Sequence, residues 1–281
     1  MNLKAINREE IRPILEDVEE AFKAFSIDYY LIGAMARDIW FARGEKQFRA
    51  TKDIDFAILV DSEKHYQQVR GYLEEKKSYH PSSTNDFVML SPDGTPIDLL
   101  PFGSIEFDDG VQLKGTGLTN IKVNGFMEVY EAGTEQVEVI NGHNFQVATL
   151  AAIILLKLIA YDDRPEQRIK DAGDIGNILM NYFELETPLI YDFHSDLFTK
   201  GQPERELEEV ASIVAGREIK RQLSGNPQLF KRTCEIINGI LAKHEKSDFT
   251  QHMTRETNTT INQMMNLLQC LLKGLEEMRK I

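Results

Sequence analysis

Apolar and polar positions along this chain follow a helical period in some stretches and a strand period in others. Over residues 8–25, Ile11, Ile14, Leu15, Val18, Ala21 and Phe22 recur three and four apart, which predicts an amphipathic helix. Residues 28–32 form a short apolar run closed by Gly33, read as a strand, and residues 34–41 read as a helix. Residues 42–52 are polar and loop-like, 53–60 read as the next strand, and 64–76 as a surface helix. The apolar stretches 86–90 and 96–101 flank the turn signal SPDGT and predict a hairpin. Further strand-like pieces cover 122–130 and 136–145. The character changes after Val147. Residues 148–161 are apolar nearly all round, as in a buried helix. Pro165 fits the first turn of another helix running to about Tyr182. From Arg205 onward the patterns are helical. The last, over 260–278, carries Ile261, Met264, Leu267, Leu268, Leu271, Leu275 and Met278 at helical spacing. The expected architecture is an α+β domain over 1–146 followed by an all-helical domain over 147–281.

The chain has 281 residues, enough for one large domain or two small ones, and 42% hydrophobic content supports ordinary cores. Its longest apolar run, 147–160, is too short to cross a bilayer and contains Lys157. The first residues hold no apolar signal-peptide core. Cys234 and Cys270 lack metal-ligand spacing and read as reduced thiols, so a cytoplasmic setting without membrane partners is expected. Net charge is −13. It is unevenly spread: residues 204–281 hold 12 Lys and Arg against 11 Asp and Glu, while the rest holds 20 against 34. An acidic chain is a poor general binder of nucleic acid. A local basic group, Arg217, Lys220, Arg221, Lys231 and Arg232, reads either as a solvated helix face or as a polyanion contact.

Candidate chemistry starts at DIDF, residues 53–56. On a strand, residues two apart share a face, so Asp53 and Asp55 would project together. Adjacent carboxylates repel unless a cation stands between them, and oxygen-only donors suit Mg2+ or Mn2+. A solvated acidic pair is the alternative. Upstream, LIGAMARD places Gly33 at a strand-to-helix turn where backbone can approach a ligand. The helix start there is a ready anion site, with Arg37 one turn in. Downstream, Asp98 lies in the apolar strand PIDLLPF, where a carboxylate is expensive unless paired, metal-bound or turned to solvent. Lys157 is the single charge in an apolar helical run; it could snorkel to the surface or reach a phosphate. Arg168, Asp171 and Asp174 recur three apart and share a helical face, which fits a surface ion-pair ladder equally well.

Taken in order, GAxxR, TxDIDF, a strand with PIDLLP, then Lys157 and the KDxxD helix, this chain resembles the DNA polymerase β-like nucleotidyltransferase superfamily, and within it the AbiEii-type, toxin-like enzymes. The resemblance spans about residues 8–183. It implies a nucleotidyltransferase-fold mixed sheet with flanking helices. It also implies that Asp53, Asp55 and Asp98 hold two metal ions, Mg2+ or Mn2+, with Asp98 drawing the proton from the acceptor hydroxyl. Gly33, Ala34, Arg37 and Thr51 would contact the nucleoside triphosphate, Lys157 would offset its charge, and Asp171 and Asp174 would position it. Ala34 stands where the superfamily usually has serine, so backbone N–H groups must replace that hydroxyl. The implied activity is transfer of a nucleoside monophosphate to an acceptor hydroxyl, RNA or tRNA or a small molecule, in a toxin–antitoxin or phage-defence role with an antitoxin partner. Two alternatives stay open: an antibiotic-type enzyme with a small-molecule acceptor, and a non-catalytic interaction module.

Overall fold

The structure, a computed structural model, describes residues 8–44, 53–115, 117–140, 143–199 and 204–277. Two compact units divide it, Met1–Thr149 and Leu150–Ile281. The first unit runs α1 (Arg8–Ala24), β1 (Asp28–Ile32), α2 (Gly33–Arg43), β2 (Ile54–Leu59), α3 (Glu63–Lys77), β3 (His80–Pro81), β4 (Val88–Leu90), β5 (Pro96–Phe102), β6 (Gly110–Gln112), β7 (Asn120–Lys122), α4 (Phe126–Ala132), β8 (Thr134–Ile140) and β9 (His143–Ala148). Seven strands form one mixed sheet in the order β3-β4-β5-β2-β1-β9-β8, and β6 and β7 form a separate ribbon. β1 is antiparallel to β2, and β2 is parallel to β5.

Register divides the central strands into two faces. One carries Tyr29, Leu31, Phe56 and Leu99, and α1 covers it: Phe22 meets Tyr29 and Phe56 at ring centroid distances of 4.4 and 5.6 Å. The apolar stripe of α1, with Ile14, Leu15, Val18, Ala21 and Phe22 buried, supplies this contact as the helical spacing predicts. The other face carries Ile32, Asp55 and Asp98 at one end and Tyr30, Ala57 and Phe102 toward the other. Helix α4 packs on that far end. Phe126 lies 6.1 Å from the Phe102 ring, and the Tyr30 hydroxyl donates to the Phe126 carbonyl at 2.8 Å.

Helix α4 corrects the strand expected over 122–130. The strand stops at Lys122, and Gly125, at φ 89°, makes a left-handed N-cap from which Phe126–Ala132 winds. Phe126 and Val129, three apart, then bury on one side. The pairing β4–β5, by contrast, is the expected hairpin around SPDGT, antiparallel with Leu90 opposite Pro96. The β9 strand carries the chain to Ala148, whose carbonyl accepts a hydrogen bond from Trp40 Nε1 at 2.7 Å, so the next helix begins at Leu150 rather than at 148.

The second unit is helical: α5 (Leu150–Asp163), α6 (Pro165–Leu185), α7 (Thr187–Phe193), a 3-10 turn at Ser195–Phe198, α8 (Leu207–Gln222), α9 (Pro227–Ala242), α10 (Asp248–Thr257) and α11 (Ile261–Glu276). Helix α6 kinks at Arg168, whose φ of −112° and ψ of 17° leave the helical range. Glycines let helices touch backbone to backbone. A Cβ on Gly216 of α8 would lie 2.1 Å from the Leu271 carbonyl oxygen of α11, and one on Gly274 would lie 2.0 Å from that of Ile213. Among the described residues, no helix is long and apolar enough to cross a membrane.

The α8–α11 contact makes a direct test. Gly216→Ala should lower stability by about 1–3 kcal/mol through overpacking against fixed backbone. Gly239→Ala, on α9 with nothing within 4 Å of the added carbon, should raise it by about 0.5–1 kcal/mol through helix propensity. Thermal melts of the two variants beside the parent should move in opposite directions.

Candidate active site

Asp55 and Asp98 are paired in register on the adjacent parallel strands β2 and β5, and Asp55 also stands opposite Ile32, the last residue of β1. Opposed residues share a sheet face, so both carboxylates rise from the same side of the sheet. Both side chains are half-buried. Asp53 sits one residue before β2 and is exposed. Ile97 and Leu99 on either side of Asp98 are fully buried, so the apolar strand anchors through one face and presents its carboxylate on the other. Behind that strand, the Tyr66 hydroxyl donates to the Leu99 carbonyl at 2.9 Å, and burial pushes its pKa well above the ordinary tyrosine range.

Gly33 follows β1 with φ +69°, a left-handed conformation that glycine adopts without strain. A Cβ built there would lie 2.1 Å from Asp55 Oδ2. Thus the turn from β1 into α2 is glycine because the Asp55 carboxylate occupies the space a side chain would need. Helix α2 starts at Gly33, with no acidic residue in its first turn, and Ile32 at its N-cap has no side-chain oxygen to offer the first N–H groups. The first turn, including Ala34, therefore presents backbone donors next to the Asp55 carboxylate.

Other expected site residues stand differently. Arg37 is 4% exposed, and its Nε and Nη2 donate to Asp38 Oδ1 at 3.0 and 2.8 Å. It is a buried, paired guanidinium within α2 rather than an open phosphate clamp. Thr51 lies outside the described residues. In the helical unit, Lys157 Nζ on α5 reaches Asp171 Oδ1 at 2.6 Å and Asp174 Oδ2 at 2.7 Å on α6, with its side chain 13% exposed. Burial lowers the Lys157 pKa, but the two carboxylates outweigh it and hold the ammonium above its ordinary value. The three residues form one buried ion-pair cluster. This corrects two open readings: Lys157 does not snorkel, and Asp171 and Asp174 are no exposed ladder.

The basic group of the last third is likewise paired. Arg217 donates to Asp196 and Glu277, Lys220 to the Glu277 carbonyl, Arg221 to Glu218, and Arg232 to Asp162 and Asp163. Lys231 reaches Glu235 at 3.6 Å. These pairs divide the cations between separate places, with Arg221 and Lys231 still exposed to solvent, as in a solvated helix face. Arg217 and Lys220 instead line a cavity of about 690 Å3 beside Leu223, Pro227 and Phe230. The signal for this pairing was weak in sequence, because most of the neutralising carboxylates come from distant positions.

The family model described as "Nucleotidyl transferase AbiEii toxin, Type IV TA system" matches residues 14–226. This chain belongs to that family. It is a nucleotidyltransferase of a toxin–antitoxin family, and the alternative of a non-catalytic module falls away. Among solved structures, the chain is similar to the solution structure of the antibiotic-resistance factor ANT(2'')-Ia. That likeness has 14% sequence identity and a TM-score of 0.36, covering 63% of this chain and 83% of the other. No curated protein matches it.

Among the described residues of this AbiEii-family chain, no three His, Cys, Asp or Glu side chains stand together as a ready-made metal-binding set. The donors nevertheless suit a hard divalent cation. Two carboxylates in register on neighbouring strands, with a third at the strand mouth, offer oxygen ligands only.

Two substitutions separate site from scaffold. Gly33→Ala should abolish most nucleotidyl transfer by displacing Asp55 and straining the turn, while far-ultraviolet circular dichroism stays near that of the parent. Lys157→Met removes the ammonium from between two largely buried carboxylates and should lower unfolding free energy by about 3–5 kcal/mol. Because the folded Lys157 pKa is raised, the ammonium's stabilisation is complete below the ordinary lysine value and fades only as pH rises through the folded value. The gap between parent and variant in denaturant melts should therefore hold from neutral pH to about pH 10 and narrow only above that.

Proposed function

We propose that this chain transfers a nucleoside monophosphate from a nucleoside triphosphate to an acceptor hydroxyl in a divalent-metal-dependent reaction. The observation that carries this reading is the Asp55–Asp98 register pair beside the Gly33 turn and the open first turn of α2. Asp53, Asp55 and Asp98 would hold Mg2+ or Mn2+, which supplies positive charge against the triphosphate oxygens. The first-turn N–H groups of α2, including that of Ala34, bind phosphate oxygens and stand in for a serine hydroxyl. The acceptor oxygen forms a bond to the α-phosphorus, and the bond from that phosphorus to the oxygen bridging the β-phosphate breaks. Pyrophosphate leaves with the bond's electron pair, and Asp98 takes the acceptor proton. Arg37, held by Asp38, supports α2, and the Lys157–Asp171–Asp174 cluster fixes α5 against α6.

RNA, including tRNA, is the acceptor in the toxin reading, and an antitoxin is the partner that this family membership supports. One observation favours a small-molecule acceptor as the second reading. The cations of the helical unit expected to meet a polyanion are already paired with protein oxygens.

A transfer assay decides. The purified chain, Mg2+, each of the four α-labelled triphosphates and total RNA should give label in the RNA fraction with at least one nucleotide. Label in small molecules alone, with a metabolite extract as acceptor, would establish the second reading. Asp98→Asn should cut the rate about 10²–10⁴-fold, the span of a lost general base. Mg2+ should raise the parent's melting temperature, and the Asp53→Ala/Asp55→Ala double variant should lose that rise. Equal rises in both proteins would remove the metal assignment.

A further inference from the structure

The helical unit carries an aromatic cluster that nucleotide transfer does not use. Tyr191 and Phe198 stack with ring centroids 5.3 Å apart and an interplanar angle of 21°. Phe183 meets them edge-on at 6.0 and 6.5 Å. Tyr191 is 52% exposed, Phe198 42%, and Phe193, two residues from Tyr191, 68%. Four of the six exposed large hydrophobic side chains of the described residues, Leu207 being the fourth, fall within this short stretch. Scattered exposed apolar residues need no explanation, but a stacked and exposed aromatic group marks a contact surface.

The charges around it choose the occupant. Residues 183–209 hold eight Asp and Glu against two Lys and Arg, and Arg217 from α8 compensates one of the eight, Asp196. Glu184, Asp192, Glu204 and Glu206 are exposed, and the first two adjoin Phe183 and Tyr191 in the chain. Nucleic acid would bring phosphates against carboxylates, so a base-stacking platform does not fit. A second copy would bring the same acidic fringe to the contact, and like charges in apposition are costly. A basic polypeptide suits both features. Its Arg or Lys side chains can pair with the carboxylates and lie over the ring faces, and its apolar anchors can cover the ring edges.

We propose that the Phe183–Tyr191–Phe198 surface docks a basic segment of a partner protein, with arginines interleaved with apolar anchors. This inference rests on exposure and charge alone and stands whether or not the transfer reading holds.

The test uses the full chain and three short synthetic peptides: Arg alternating with Leu, Arg with Ser, and Glu with Leu. The Arg–Leu peptide should bind the parent in calorimetric titration and lose at least tenfold in affinity with Tyr191→Ser/Phe198→Ser. The net charge of the chain is unchanged by these substitutions, so the loss reports the aromatic contribution. The Arg–Ser peptide should bind weakly to the parent and lose less affinity in the variant than the Arg–Leu peptide does, and the Glu–Leu peptide should bind neither. Phe193→Ser, a substitution at a largely exposed site, gives the same readout if the double variant melts early, with a loss of at least threefold expected. Unchanged Arg–Leu affinity in the variants would overturn the proposal. So would oligouridylate binding that the substitutions abolish, which would make the cluster a stacking platform. A parent dimer that the substitutions dissociate would overturn it too, in favour of self-association.

Discussion

Asp55 lies so close to Gly33 that one added carbon would sit 2.1 Å from its Oδ2. That contact joins three elements. It requires β1 to run antiparallel to β2 with Ile32 opposite Asp55, so that the end of one strand meets the start of the other. It requires a left-handed turn at the end of β1, and it makes α2 begin where the carboxylate stands. Once Asp55 is fixed by this turn, parallel pairing with β5 brings Asp98 alongside. A shift of one residue in either register would turn a carboxylate into the apolar layer under α1, where nothing could satisfy it. The hydrophobic layer and the acidic site therefore specify the same alignment.

Electrostatics is handled differently in the two units. In the sheet unit, carboxylates of like charge are gathered at one end of a sheet face. In the helical unit, opposite charges are matched internally: Lys157 with Asp171 and Asp174, Arg217 with Asp196 and Glu277, Arg232 with Asp162 and Asp163. A near-neutral sum over the last third is thus the outcome of specific pairs, and it does not advertise an open polyanion surface. The aromatic stretch of the same unit is rich in acidic residues along the chain, and one of them, Asp196, is held by Arg217.

Much of this was legible in the sequence, for identifiable reasons. Alternation in DIDFAILV and PIDLLPF follows the strand period, so it reported both the strands and the face on which Asp55 and Asp98 lie. Gly33 was legible as a turn, although the neighbour that excludes a side chain there was not, because register is a long-range property. Helix α4 was missed because Ile121 and Val123 keep a strand-like alternation up to Gly125, whose left-handed conformation ends it. Lys157 showed itself as an oddity in an apolar helix, but its partners lie on a different helix, and spacing within one helix cannot name them. The burial of Arg37 was hidden for a similar reason: Met35 to Ala42 of α2 are all buried, and that depends on packing that spacing within the helix cannot report. Whether Thr51 contributes falls outside the described residues.

The backbone contact between α8 and α11 has a consequence for how this protein can change in length. The family match ends at residue 226, in the connection just before α9, while α11 lies wholly beyond it. Helix α8, inside the matched region, buries Ile213, Val214, Ala215 and Gly216, and its glycine is seated against the α11 backbone at Leu271, Gly274 and Leu275. A gene fragment ending where the shared region ends would uncover that stripe and invite aggregation. Evolution can vary the sequence of the C-terminal helices, but it cannot discard them without supplying another cover for α8.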